Sequence, residues 1–201
     1  MKMMRVLIAA ALVMTTALPS TAADKLSLGA ISNYLNRLST AKAEFTQINA
    51  DGTISTGTIY IKRPGRARFE YKPPEKTLVL ASAGQLAIFD EKSNTGPEQY
   101  PLARTPLNLI LASNTNLSQN GMVVGHNFDG TATTVTAQDP KHPEYGNIQM
   151  MFTGAPTELR QWIITDNTGQ KTTVILGELT KGAAMKDQIF SITSEAMRRG
   201  F

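Results

Sequence analysis

Gly57-Thr58-Ile59-Tyr60-Ile61-Lys62-Arg63-Pro64-Gly65-Arg66-Ala67-Arg68-Phe69-Glu70-Tyr71 decides how this chain folds. Ala67, Phe69 and Tyr71 alternate with Arg66, Arg68, Glu70 and Lys72, so one side of the segment is apolar and the other charged. That period of two belongs to a half-buried β-strand. Pro64-Gly65 is a turn signal between this strand and the one before it. Outward from here the period persists. Ile148, Met150 and Phe152 alternate in the same way, and Asp51-Gly52, Pro73-Pro74, Gly84, Asp129-Gly130 and Asn167-Thr168-Gly169 punctuate the chain at the spacing of an all-β sandwich or barrel. Leu159–Ile164 and Thr172–Leu176 carry apolar groups on both faces, which predicts strands covered on both sides.

Two segments break the rhythm. From Lys25 to about Lys42, Leu28, Ile31, Leu35 and Leu38 recur at helical spacing, which predicts an amphipathic helix. Thr105-Pro106-Leu107-Asn108-Leu109-Ile110-Leu111-Ala112 offers a Thr N-cap, Pro at the first helical position and an apolar run. A helix of about two turns is unstable alone in water. Both helices are therefore expected to lie against the concave face of one curved sheet. Nothing divides residues 24–201, which read as a single domain.

The first 23 residues read as an export signal: Lys2 and Arg5, an uncharged stretch from Val6 to Leu18, and small residues at Thr21-Ala22-Ala23. Cleavage after Ala23 lowers the net charge from +4 to +2, so the basic balance gives no support to nucleic-acid binding. With no Cys in the chain, disulfides, thiolate metal sites and a Cys nucleophile are excluded. Ser39-Thr40-Ala41-Lys42 matches the S-x-x-K of serine acyl-enzymes, but the companion K-T-G is missing. An esterase is thus a distant reading, and a helix end the ordinary one. His126 and His142 lack a neighbouring carboxylate pattern and read as surface imidazoles. No metal, cofactor or enzyme activity is predicted. Lys62, Arg66, Arg68 and Lys72 form, with Arg63, the densest basic cluster, either a solvated strand face or a docking surface for an acidic partner or anionic headgroups.

The opening stretch resembles the signature of the periplasmic outer-membrane lipoprotein carrier family, LolA, in which a strand ending in Lys-Arg-Pro is followed by an aromatic-bearing strand. The likeness runs on through Pro73-Pro74, Tyr100-Pro101-Leu102, Thr105-Pro106-Leu107 and the ending Leu179 and Phe190. It implies a mainly β fold, an unclosed half β-barrel of antiparallel strands with an α-helical lid over an apolar cavity. It also implies a soluble, monomeric periplasmic carrier that binds the acyl chains of lipoproteins. Such a carrier moves them from an inner-membrane lipoprotein-releasing ABC transporter to an outer-membrane lipoprotein acceptor. The alternative is a non-enzymatic scaffold or lipoprotein-sensing module of the same fold with no transport role.

By this resemblance Arg63 matches the arginine that latches lid to barrel. Leu28, Ile31, Leu35, Leu38, Phe69, Tyr71, Leu107, Ile110 and Trp162 become the cavity candidates, though each also reads as plain core. Met122, Met150 and Met151 are adaptable core fillers that could also line a lipid site. Ala67 and Phe69 stand where the family often has Phe and Trp, Ala83 replaces the usual Asp before Gly84, and Ala87 stands where Trp is common. These departures imply a roomier cavity or different contents.

Overall fold

Ser27 starts the fold's first helix: its Oγ accepts from the Ala30 amide at 3.1 Å, and α1 (Leu28–Arg37) follows. In this computed structural model, which describes residues 24–93 and 95–201, the expected signal segment 1–23 lies outside the described residues. The helix is shorter than its periodicity predicts. It ends at Leu38, and β1 (Thr40–Ile48) begins where the helix was expected to continue. The alternation Ala41, Ala43, Phe45 wins there, because it turns all three side chains into the core.

The remaining strands are β2 (Ile54–Lys62), β3 (Arg66–Tyr71), β4 (Leu78–Ser82), β5 (Gln85–Phe89), β6 (Glu98–Pro101), β7 (Val123–Phe128), β8 (Ala132–Gln138), β9 (Asn147–Thr153), β10 (Glu158–Thr165), β11 (Lys171–Leu176) and the short β12 (Thr180–Lys181). All are antiparallel and join one sheet in the order β6-β5-β4-β3-β2-β1-β11-β10-β9-β8-β7, with β12 also paired to β1. Its ends are β6 and β7, so the sheet stays open.

The sheet nevertheless curls. Phe69 on β3 and Trp162 on β10 are four strands apart in that order, which in a flat sheet means about 19 Å. Their rings meet edge-on with centroids 6.5 Å apart. The inner face is thus a trough lined by residues of β1–β4 and β8–β11. A bulge between Leu159 and Gln161 lets both Leu159 and Trp162 point inward. This resolves part of the two-faced pattern of β10. The expected double cover fails on β11, where Val174 and Leu176 are buried but Ile175 is exposed on the outer face.

Cover on the outer face lies elsewhere. Helix α3 (Ile192–Arg198), which the sequence reading did not foresee, packs Ile192 and Ala196 on Leu78, Leu80, Ala87 and Phe89. Ala87 is therefore on the outer face under α3 and leaves the trough no roomier. Ala67 does face the trough.

Candidate functional site

The trough is filled by its own lid. Ile31 and Leu35 of α1 are fully buried against the inner face, with Leu38 beside them. The chain from Leu102 to Leu117 adds Leu102, Leu107, Ile110, Leu111 and Leu117. Its helix α2 (Asn108–Leu111) is a single turn. Thr105 does not cap it: the Thr105 hydroxyl donates back to the Leu102 carbonyl at 2.8 Å, and Leu107 takes the N-cap position. The barrel side of the contact is Phe45, Ile59, Phe69, Met150, Phe152 and Trp162. Of the predicted cavity residues, Ile31, Leu35, Leu38, Phe69, Leu107, Ile110 and Trp162 lie buried in this one cluster. Leu28 and Tyr71 pack against it half-buried. Burial pushes the Tyr71 phenol up to about 12, although its hydroxyl donates to Gln47 Oε1 at 2.7 Å. Phe45 and Phe152, absent from the predicted set, follow the same alternation, which is the signal that could have found them.

Arg63 sits at the end of β2, where lid and barrel meet, and is nine-tenths buried. Its backbone amide donates to the Ser39 carbonyl at 2.8 Å. Its Nη2 donates to the Ala112 carbonyl, to Thr115 Oγ1 at 3.2 Å and to Asn36 Oδ1 at 3.4 Å. Nε is buried without a partner among the described residues. Burial pulls the guanidinium below its ordinary value, yet an arginine so placed stays protonated. Beside it the Gly65 amide donates to the Leu111 carbonyl at 2.8 Å.

The two lid segments are also stitched to each other. Asn36 Oδ1 accepts from the Thr115 amide at 2.8 Å, and its Nδ2 donates to Asn114 Oδ1 and the Thr115 carbonyl. Ser32 Oγ accepts from the Leu117 amide at 3.0 Å. At the other end of α1, the Leu26 amide donates to Thr133 Oγ1, and His126 Nε2 lies 2.9 Å from the Leu26 carbonyl. His126 is thus half-buried and ties down the approach to α1, while His142 stacks on Tyr145 in an exposed loop. A groove of about 670 Å³ runs along α1, bordered by Tyr34, Arg37, Leu38 and Lys181.

The basic cluster is engaged by the chain itself. Lys62 reaches Asp187 at 2.7 Å and the Met185 carbonyl, and Arg66 pairs with Asp187. Arg68 donates to Glu70 and to the Ile189 carbonyl, with Glu195 at 3.8 Å, and Lys72 pairs with Glu44. Lys62, Arg66 and Arg68 therefore lie under the C-terminal segment rather than forming a bare docking face. Burial pushes the Glu195 carboxyl up, but hydrogen bonds from Arg198 and Arg199, with the charges of Arg198 and Arg68, hold it below the carboxylate range. Ser39 and Lys42 do not form a dyad. The Lys42 ammonium lies 5.4 Å from the Tyr60 ring centre, on the outer face of β1.

The family model described as "Outer membrane lipoprotein carrier protein LolA" matches residues 36–193. The outer-membrane lipoprotein carrier protein of Pseudomonas paraeruginosa is 23% identical over 199 residues, covering 95% of this chain and 94% of that protein. That of Methylococcus capsulatus is 23% identical over 174 residues, covering 83% of each. Among solved structures, an outer membrane lipoprotein-sorting protein domain from Vibrio parahaemolyticus aligns with a TM-score of 0.53 at 10% identity, over 84% of this chain and 97% of that one. This last likeness is one of fold.

Proposed function

The chain belongs to the LolA family of outer-membrane lipoprotein carrier proteins, and from that premise we propose that it is a periplasmic carrier of acylated lipoproteins. The acyl chains occupy the trough in place of the lid's side chains. Cargo passes from an inner-membrane lipoprotein-releasing transporter to an outer-membrane acceptor, and no reaction is catalysed.

One observation carries this reading: the apolar filling of the trough comes from two short segments rather than from the barrel. Ile31, Leu35, Leu107, Ile110 and Leu111 are all buried there. Fully burying a Leu or Ile side chain is worth about 1.5–3 kcal/mol, so these five contribute roughly 10 kcal/mol to the closed form. About fifteen buried methylenes of an acyl chain return ~12 kcal/mol. The two fillings are close in free energy, so the exchange runs in either direction without ATP. Arg63 adds a few hydrogen bonds to the closed side, which helps cargo to leave.

An apolar fluorescent probe tests the proposal. It should bind the purified protein and be displaced by a diacyl lipid. A scaffold or sensing module without transport would show neither binding nor displacement.

A further inference from the structure

Three groups converge on the latch from three different parts of the chain: Arg63 from the barrel, Asn36 from α1 and Thr115 from the loop after α2. Asn36 occupies the joint. Its Oδ1 accepts from the Thr115 amide at 2.8 Å and from Arg63 Nη2 at 3.4 Å, while its Nδ2 donates to Asn114 and to the Thr115 carbonyl. Thr115 Oγ1 accepts from Arg63 and donates to the Leu109 carbonyl at 3.0 Å. Asn36 is an exposed residue, so this network does not depend on it as core.

Among the described residues, no carboxylate pairs with Arg63, and desolvation is the one influence that moves its ionisation. A buried cation is ordinarily paired. Here the acceptors are all neutral: the Ala112 carbonyl, Thr115 Oγ1 and Asn36 Oδ1. We propose that Asn36 is the positioning residue of the latch. It joins the two lid segments into one body, which Arg63 holds to the barrel. This inference rests on the carrier reading for its purpose, though not for its test.

Trp162 is the chain's single tryptophan, 1% exposed on the floor of the trough, so its quenching by acrylamide reports opening of the lid in protein without lipid. Asn36→Ala removes four side-chain hydrogen bonds, so it should raise that quenching at least about two- to tenfold, the range of a single net bond. Combined with Arg63→Leu it should add little, because both variants break the same joint. Asn36→Asp keeps the oxygen that faces Arg63 and the Thr115 amide but sets a second oxygen against Asn114 Oδ1 and the Thr115 carbonyl, so it too should raise quenching. Effects of Asn36→Ala and Arg63→Leu that multiply, an Asn36→Ala variant indistinguishable from native, or an Asn36→Asp variant as closed as native would each overturn the proposal. Failure of diacyl lipid to displace the probe would instead sink the carrier reading and leave this result standing.

Discussion

Arg63 Nη2 and Thr115 Oγ1 lie 3.2 Å apart at a point where a barrel strand meets a lid loop 52 residues further along the chain. The contact is neutral on one side and charged on the other. On the proposed carrier mechanism its loss would uncover the trough without leaving a buried carboxylate behind.

Arg63→Leu should keep its capacity for an apolar probe, because the trough residues are untouched, while handing cargo on more slowly. The leucine cannot make the three Nη2 bonds to the lid, so the closed state loses its advantage over the loaded one. Transfer of a lipoprotein from the purified variant to acceptor-bearing vesicles, timed against native protein, checks this. An unaltered rate would remove the latch from the mechanism.

Gly57 is required by a neighbour. A Cβ there would fall 2.2 Å from the Glu70 carbonyl oxygen and 2.7 Å from the Phe45 ring. Phe45 in turn meets Phe69 and Tyr71 edge-on, with centroids 5.8 and 5.1 Å away. Gly57→Ala should cost about 2–3 kcal/mol by overpacking the aromatic floor of the trough. Denaturant unfolding gives the value.

The turn Ala83–Gly84, between the paired residues Ser82 and Gln85, has positive φ at both positions, 49° and 75°. Two-residue hairpins of this kind favour Asn or Asp followed by Gly, and Ala pays about 1 kcal/mol for the left-handed conformation. Ala83→Asn should therefore stabilise the protein by roughly 0.5–1 kcal/mol, raising Tm by about 1–4 °C. A calorimetric scan that shows no gain would contradict the strain.

Glu195 lends the C-terminal helix a pH dependence. Its folded carboxyl lies below the ordinary value of 4.5, so the stability that it contributes is whole above that pH and is lost as pH falls through the lower folded value. Amide protection over 192–198, taken relative to the unfolded-chain exchange rate at each pH, should fall on acidification through that window. Glu195→Gln should cost about 1–2 kcal/mol at neutral pH and abolish the acid dependence. Equal exchange in the two proteins at every pH would show that the carboxylate does not hold the helix.

Much of this architecture was legible in the sequence because period-two alternation with a charged outer face leaves one register for a strand such as 66–71. The lid elements were also visible, since a run as apolar as Leu107–Leu111 and a stripe such as Ile31–Leu35–Leu38 must bury their faces somewhere. Three things were not. The end of α1 was hidden because Leu38 fits a helical and a strand period equally. The side on which Ala87 lies depends on strand pairing, which composition does not reveal. The C-terminal cover of Lys62, Arg66 and Arg68 joins residues more than a hundred positions apart. Its local trace was only Ser191 before an apolar Ile192, the N-cap whose Oγ accepts from the Ser194 amide. The resemblance pointed to Arg63, whereas Asn36 and Thr115, polar groups within the lid, carried no periodic signal at all.

The central claim is that acyl chains take the place of the lid's own side chains. Native mass spectrometry of the purified protein with a diacylated lipopeptide tests it most directly. A one-to-one complex that forms with the lipopeptide and not with the same peptide stripped of its acyl chains, accompanied by a change in Trp162 emission, is the predicted result. Equal binding of the two peptides, or no complex with either, would contradict it.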